Sequence, residues 1–80
     1  MVNIEKIDLE IDARNINCPG PIILISSKIN QVNNGGVIKI IATDQAFESD
    51  IKEWCKSTGN KLLELRKNGR EIIAYIIKQG

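Results

Sequence analysis

The sequence predicts an α/β (α+β) two-layer sandwich of order βαβαββ, with a four-stranded mixed sheet and two helices on one face. Three observations carry that prediction. A period-2 apolar alternation opens the chain, two stretches with helical spacing flank a Val/Ile-rich run, and two further strand-like runs meet at an Asn-Gly pair. With 80 residues, 42% hydrophobic and 26% charged, the chain has room for one core, so residues 1–80 are expected to form a single domain.

The first strand is expected over Lys6 to Asp12, where Ile7, Leu9 and Ile11 alternate with Asp8, Glu10 and Asp12 as in a strand with one wet face. Asn15 and Asn17 then break the alternation and lead into Cys18-Pro19-Gly20-Pro21. A helix should start there. Proline suits the first helical turn, whose N–H groups have no intrahelical acceptor, and Ile22, Ile25, Ile29 and Val32 recur on one face that should meet the core. Asn33-Asn34-Gly35-Gly36 stops the helix, and Val37 to Thr43 is apolar enough to be a central, parallel strand.

Asp44 is placed to cap the second helix, with Glu48 and Asp50 near its positive end, Lys56 near its negative end and Gly59 beyond it. Phe47, Ile51, Trp54, Cys55 and Thr58 fall on one face of that helix. Lys61 to Lys67 and Arg70 to Lys78 are strands, and Asn68-Gly69 is the two-residue hairpin loop between them.

Composition removes several functions. Eleven basic residues against ten acidic ones, with three aromatics, give neither the positive field nor the stacking surface of a typical nucleic-acid binder. No apolar run is long enough to span a membrane, and the N-terminus lacks a signal-peptide pattern, so the expected location is cytoplasmic. With no histidine there is no Cys-His or Ser-His nucleophile pair and no His metal site. The two cysteines, Cys18 and Cys55, stand 37 residues apart, without the close pairs of zinc or dithiol sites, and no metal or cofactor is called for.

Cys18 is the informative residue. A thiol just before a Pro-Gly-Pro helix start sits where amide N–H groups and the helix dipole favour a negative charge. If Cys18 is the N-cap, the Gly20 N–H is the natural donor to its sulfur, since Pro19 and Pro21 have none. A helix-terminus effect of this kind lowers a thiol pKa by roughly 0.2 to 1.5 units from ~8.5, enough for sulfur-to-sulfur exchange without a neighbouring base. The alternative is a small buried hydrophobe at a strand-to-helix bend. Cys55, on the apolar face with Ile51 and Trp54, reads as core.

Arg14, four residues before Cys18, is placed to attract an anionic sulfur donor or stabilise a persulfide, or else is an ordinary solvated loop residue. Ile23 and Leu24 adjoin the core stripe, but helical steps onward from them reach Ser27, Lys28 and Gln31, which read as solvent-facing. Part of this pair, with Lys28, forms a candidate docking surface for a partner protein; the alternative is a wider core stripe.

Leu9 to Arg14, Cys18-Pro19-Gly20-Pro21, Ala42 to Phe47 and Trp54 to Gly59 together resemble the TusA/SirA family of sulfur-carrier proteins, over roughly residues 7 to 79. The resemblance implies the βαβαββ fold and makes Cys18 of the Cys-Pro-x-Pro motif the residue that accepts sulfane sulfur as a persulfide and hands it on. It implies a sulfur-donor protein, such as a cysteine desulfurase or a rhodanese-like protein, and a sulfur-acceptor protein, DsrE-like or other. The pathways implied are tRNA thiolation, molybdenum cofactor synthesis or dissimilatory sulfur metabolism. The chain departs from the family pattern at Asn15, where Gly is usual, at Ser26 and Ser27, which replace a basic pair, and at Gln45, which replaces a frequent Pro. The expected function is a sulfurtransferase acting as a relay carrier; a regulatory interaction module and an RNA-binding domain are the competing readings.

Overall fold

The computed structural model describes residues 6–79; residues 1–5 and 80 of the expected domain lie outside the described residues. Strand β1 runs over Leu9–Ala13, helix α1 over Gly20–Lys28, β2 over Val37–Ala42, α2 over Phe47–Thr58, β3 over Lys61–Asn68 and β4 over Glu71–Ile77. A 3-10 turn, Ile29–Gln31, tightens the end of α1. The four strands lie in the order β1-β2-β4-β3. β1 and β2 are parallel in the register Ile11↔Ile40 and Ala13↔Ala42, while β4 is antiparallel to both β2 and β3. The sheet is therefore mixed, with the Val/Ile-rich β2 inside it as expected.

Both helices cover one face. Ile25 of α1 and Phe47, Ile51 and Cys55 of α2 cluster with alternate residues of the strands: Ile11 and Ala13, then Ile38, Ile40 and Ala42, then Ile72, Ala74 and Ile76. Such fully buried aliphatic and aromatic side chains stabilise a fold by about 1.5–3 kcal/mol each. Of the α1 stripe, Ile25 and Val32 are buried, and Ile22 and Ile29 pack against the cluster's edge. The strand residues between the core positions point to the other face, where Arg66 lies over the Tyr75 ring at 5.2 Å from its centroid.

Four local expectations shift. β1 begins at Leu9 rather than Lys6, because Asp8 bonds Val37 through both main chain and side chain: its N–H donates to the Val37 carbonyl at 2.8 Å, and its Oδ2 accepts the Val37 N–H at 2.9 Å. Asp44 is not the helix cap. It turns the chain before α2, whose N-cap is Ala46. Thr58 is exposed rather than in the core face, with its hydroxyl donating to the Trp54 carbonyl at 2.7 Å.

The hairpin loop is Gly69-Arg70 instead of Asn68-Gly69, since Asn68 pairs with Glu71. Gly69 has φ +62° and Arg70 does not share the left-handed region, the pattern of a turn whose first loop residue must be glycine. Gly69→Ala should destabilise the fold by about 1 kcal/mol, read from the midpoint of a urea titration, because alanine resists that φ while meeting no steric obstacle there. An unchanged midpoint would show that the hairpin re-forms with another loop.

Candidate functional site

Parallel pairing of β1 with β2 brings two loops together. Both strands end at the same edge of the sheet, in register at Ala13↔Ala42, so the chain after β1 and the chain after β2 leave side by side. Two hydrogen bonds tie them: the Asn15 N–H donates to Thr43 Oγ1 at 2.8 Å and the Cys18 N–H donates to Asp44 Oδ2 at 2.9 Å. Asn15 takes φ +63°, a conformation asparagine tolerates better than most side chains.

Cys18 lies in a tight turn, with the Cys18–Pro19 bond cis and the Gly20 N–H donating to the Asn17 carbonyl at 2.8 Å. That hydrogen bond overturns the expected cap. The Gly20 amide is committed to the turn, the N-cap of α1 is Pro19, and no side chain caps the helix. The thiol is half-buried and packed against the edge of the core, on the side of the sheet that α2 covers. Burial first, and then the Asp50 and Asp44 carboxylates, push the thiol up to about 11. The expected thiolate stabilisation is thus reversed: in the isolated chain, desolvation and two carboxylates outweigh the helix start.

Arg14 does not attend the sulfur. Its Nε and Nη2 donate to the two Asp12 oxygens, each at 2.9 Å, and its Nη1 reaches Glu71 Oε2 at 3.4 Å. The pair holds the Asp12 carboxyl down to about 2 and raises the guanidinium further above its ordinary range. These residues line an open groove with Asn15, Thr43 and Arg70, and Cys18 is not among its lining residues. Arg14 is thus held at this groove by Asp12 and Glu71.

The candidate docking residues separate. Ile23 is 62% exposed, whereas Leu24 packs against the core and Lys28 is half-buried rather than solvent-facing. Pro19 is exposed and Pro21 is buried in the helix's first turn. Cys55 is 4% exposed and its thiol is pushed up to about 11 by burial, as a core residue's should be. Among the described residues no group of three His, Cys, Asp or Glu side chains is placed to hold a metal ion, and no helix is long and apolar enough to cross a membrane.

The family model for sulfurtransferase TusA matches residues 9–78. The chain belongs to the TusA family. Two curated members, each named sulfur carrier protein TusA, are similar over nearly their whole length. The one from Pseudomonas aeruginosa is 32% identical over 75 residues, covering 94% of this chain and 95% of the relative. The one from Allochromatium vinosum is 39% identical over 73 residues, covering 91% and 95%. A longer Aquifex aeolicus relative is 38% identical over 78 residues, and this chain spans 39% of its length. The crystal structure of a SirA-like protein from Desulfitobacterium hafniense superposes with a TM-score of 0.76 over 90% of this chain and 99% of that one, at 19% identity, and so shares the TusA-family fold.

Asp44 and Asp50, the two carboxylates that act on the Cys18 thiol, carry no local signal of that role in the sequence. Asp44 was assigned to a helix cap and Asp50 to the helix dipole; the parallel β1–β2 pairing, which was legible, is the signal that puts the loop after β2 against the loop after β1. A single carboxylate, Asp44, spans the junction: Oδ2 takes the Cys18 N–H and Oδ1 takes the Ala46 N–H at 2.9 Å. Those two bonds hold its pKa below the ordinary carboxylate value, the Ala46 bond more than the Cys18 bond. Their contribution is therefore present at neutral pH and is lost as pH falls through that depressed pKa. Asp44→Ala should leave the sheet intact while the Cys18 and Ala46 amides exchange with solvent about tenfold faster. Unaltered exchange at both amides would remove Asp44 as the tie between the loops.

Proposed function

We propose that this chain carries sulfane sulfur as a persulfide on Cys18, between a donor protein of the cysteine desulfurase or rhodanese-like type and an acceptor that is DsrE-like or similar. The Cys18 sulfur attacks the outer sulfur of a donor persulfide; a new S–S bond forms, the donor's S–S bond breaks, and the donor leaves as a thiol that takes the Cys18 proton. An acceptor thiolate then removes the outer sulfur by the same exchange. Sulfur moves with no net oxidation and no cofactor. Turnover is expected to be slight without partners. The tasks in keeping with such a relay are tRNA thiolation, molybdenum cofactor synthesis or dissimilatory sulfur metabolism, in a reducing, cytoplasmic setting.

The observation that carries this reading is the contrast between the two thiols. Cys18 stands in a surface turn of a TusA-family fold, while Cys55 is sealed at 4% exposure in the core. Incubation with polysulfide followed by intact-mass measurement should show one added sulfur, removed by dithiothreitol, absent in Cys18→Ser and retained in Cys55→Ala. An unmodified wild-type mass, or an adduct that survives Cys18→Ser, would overturn the assignment.

A further inference from the structure

Two oddities on either side of Cys18 have one cause. Gly20 opens α1 without needing a glycine's freedom: unlike Gly35, Gly59 and Gly69 it has no positive φ, and alanine suits a helix better. Ile16 is a large hydrophobic side chain left on the surface, at 36% exposure. The two residues meet. Ile16 Cγ2 occupies the place where any other residue at position 20 would carry its Cβ, so a methyl group on Gly20 would overlap it, while Ile16 Cβ stands 3.8 Å from that same place. Glycine at position 20 is what admits the Ile16 branch methyl.

This contact closes the turn that holds Cys18. The N–H groups of Asn15, Cys18 and Gly20 are tied to Thr43, Asp44 and the Asn17 carbonyl. Those of Ile16 and Asn17 make no such bond, so the Ile16 side chain on Gly20 is what holds that part of the loop. Cys18 lies between the two clamped residues, with its sulfur half-buried against the edge of the core. With one side of Sγ packed, an added sulfur has the open side left to it. The outer atom of a persulfide is then within reach of an attacking thiolate, and the inner atom is shielded.

On the reading that Cys18 is the carrier, we propose that Ile16, clamped on Gly20, is a positioning residue that directs attack to the outer sulfur of the Cys18 persulfide. The two sulfurs lead to different products. A thiolate that attacks the outer sulfur forms an S–S bond to it as the Sγ–S bond breaks; the sulfur leaves with the attacker, and Cys18 remains as a thiolate that takes up a proton. Attack on Sγ instead forms a mixed disulfide with Cys18, the same Sγ–S bond breaks, and the sulfur is lost as hydrosulfide. A relay needs the first outcome. A turn held in one arrangement favours it over a turn free to lift Sγ away from the core.

The test loads the protein with polysulfide, removes the excess, adds one equivalent of glutathione, and reads intact mass after alkylating free thiols. Outer attack returns the Cys18 thiol, inner attack leaves a glutathione adduct, and the wild type should return mainly the thiol. Ile16→Leu keeps size and hydrophobicity but loses the branch, and Gly20→Ala pushes the branch away. In both variants the ratio of adduct to thiol should rise about tenfold. Ile16→Val keeps Cγ2 and should hold the wild-type ratio. Ile16→Ala combined with Gly20→Ala puts two methyl carbons 3.8 Å apart, an ordinary contact, and should restore the ratio that Gly20→Ala alone disturbs. One ratio shared by all variants, a double variant no better than Gly20→Ala, or adduct as the main wild-type product would overturn the clamp while leaving sulfur uptake at Cys18 standing. A wild type that takes up no sulfur at Cys18 would instead overturn the carrier assignment itself.

Discussion

Phe47→Ala is expected to lower the unfolding free energy by about 3–5 kcal/mol, measured by urea titration at neutral pH. Phe47 is the largest fully buried side chain, at 0% exposure, and it opens α2 while belonging to the same cluster as Ile25, Ile40 and Ile51. Its removal subtracts both transfer energy and contacts, and the surrounding β-branched residues are stiff and cannot flow into the gap. An 80-residue chain has little stability to spare, so the variant should be largely unfolded at 37 °C. The control is Ile23→Ala. Its side chain is 62% exposed and outside the core cluster, so its loss should change stability by less than about 0.5 kcal/mol. A loss below about 1 kcal/mol at Phe47 would mean that α2 does not pack on the sheet as described.

Why the fold was legible and part of the site was not comes down to range. Strand β2 and the face of α2 announce themselves because their signals are local: Val37 to Ala42 has no polar face except Lys39, and Phe47, Ile51 and Cys55 recur at helical spacing. The hairpin slipped by one residue because Asn68-Gly69 and Gly69-Arg70 both offer a glycine. The pairing of Asn68 with Glu71, which no local rule specifies, decides between them. At Cys18 the local rule gave the opposite electrostatic sign. Proline-glycine-proline beside a cysteine signals a helix start and hence a stabilised anion, but the turn captures the Gly20 amide for the Asn17 carbonyl. Burial raises the thiol most, and the charges that add to it come from Asp50 and Asp44, 32 and 26 residues farther along the chain. Long-range carboxylates placed by a parallel strand pair are invisible to a window of a dozen residues.

In the free protein, carbamidomethylation of Cys18 by iodoacetamide should titrate with a midpoint near 11 instead of the 9.0 of an ordinary thiol. That difference makes the thiolate fraction at pH 7 to 8 about 100-fold smaller than in the urea-unfolded chain. The midpoint, followed on the peptide that contains Cys18, is the quantity to read, because partial burial slows the absolute rate at every pH. Since burial is the largest cause and Asp50 the next, Asp50→Asn should bring the midpoint down part of the way while leaving it above 9.0. Cys55, raised by burial alone, should not respond. The sign for stability follows. Above pH 9 the unfolded chain has given up thiol protons that the folded chain still holds, so stability is fully present below about 9 and declines as pH rises toward 11. A Cys18 midpoint below 9.0 in the isolated protein would show that the helix start governs the sulfur after all.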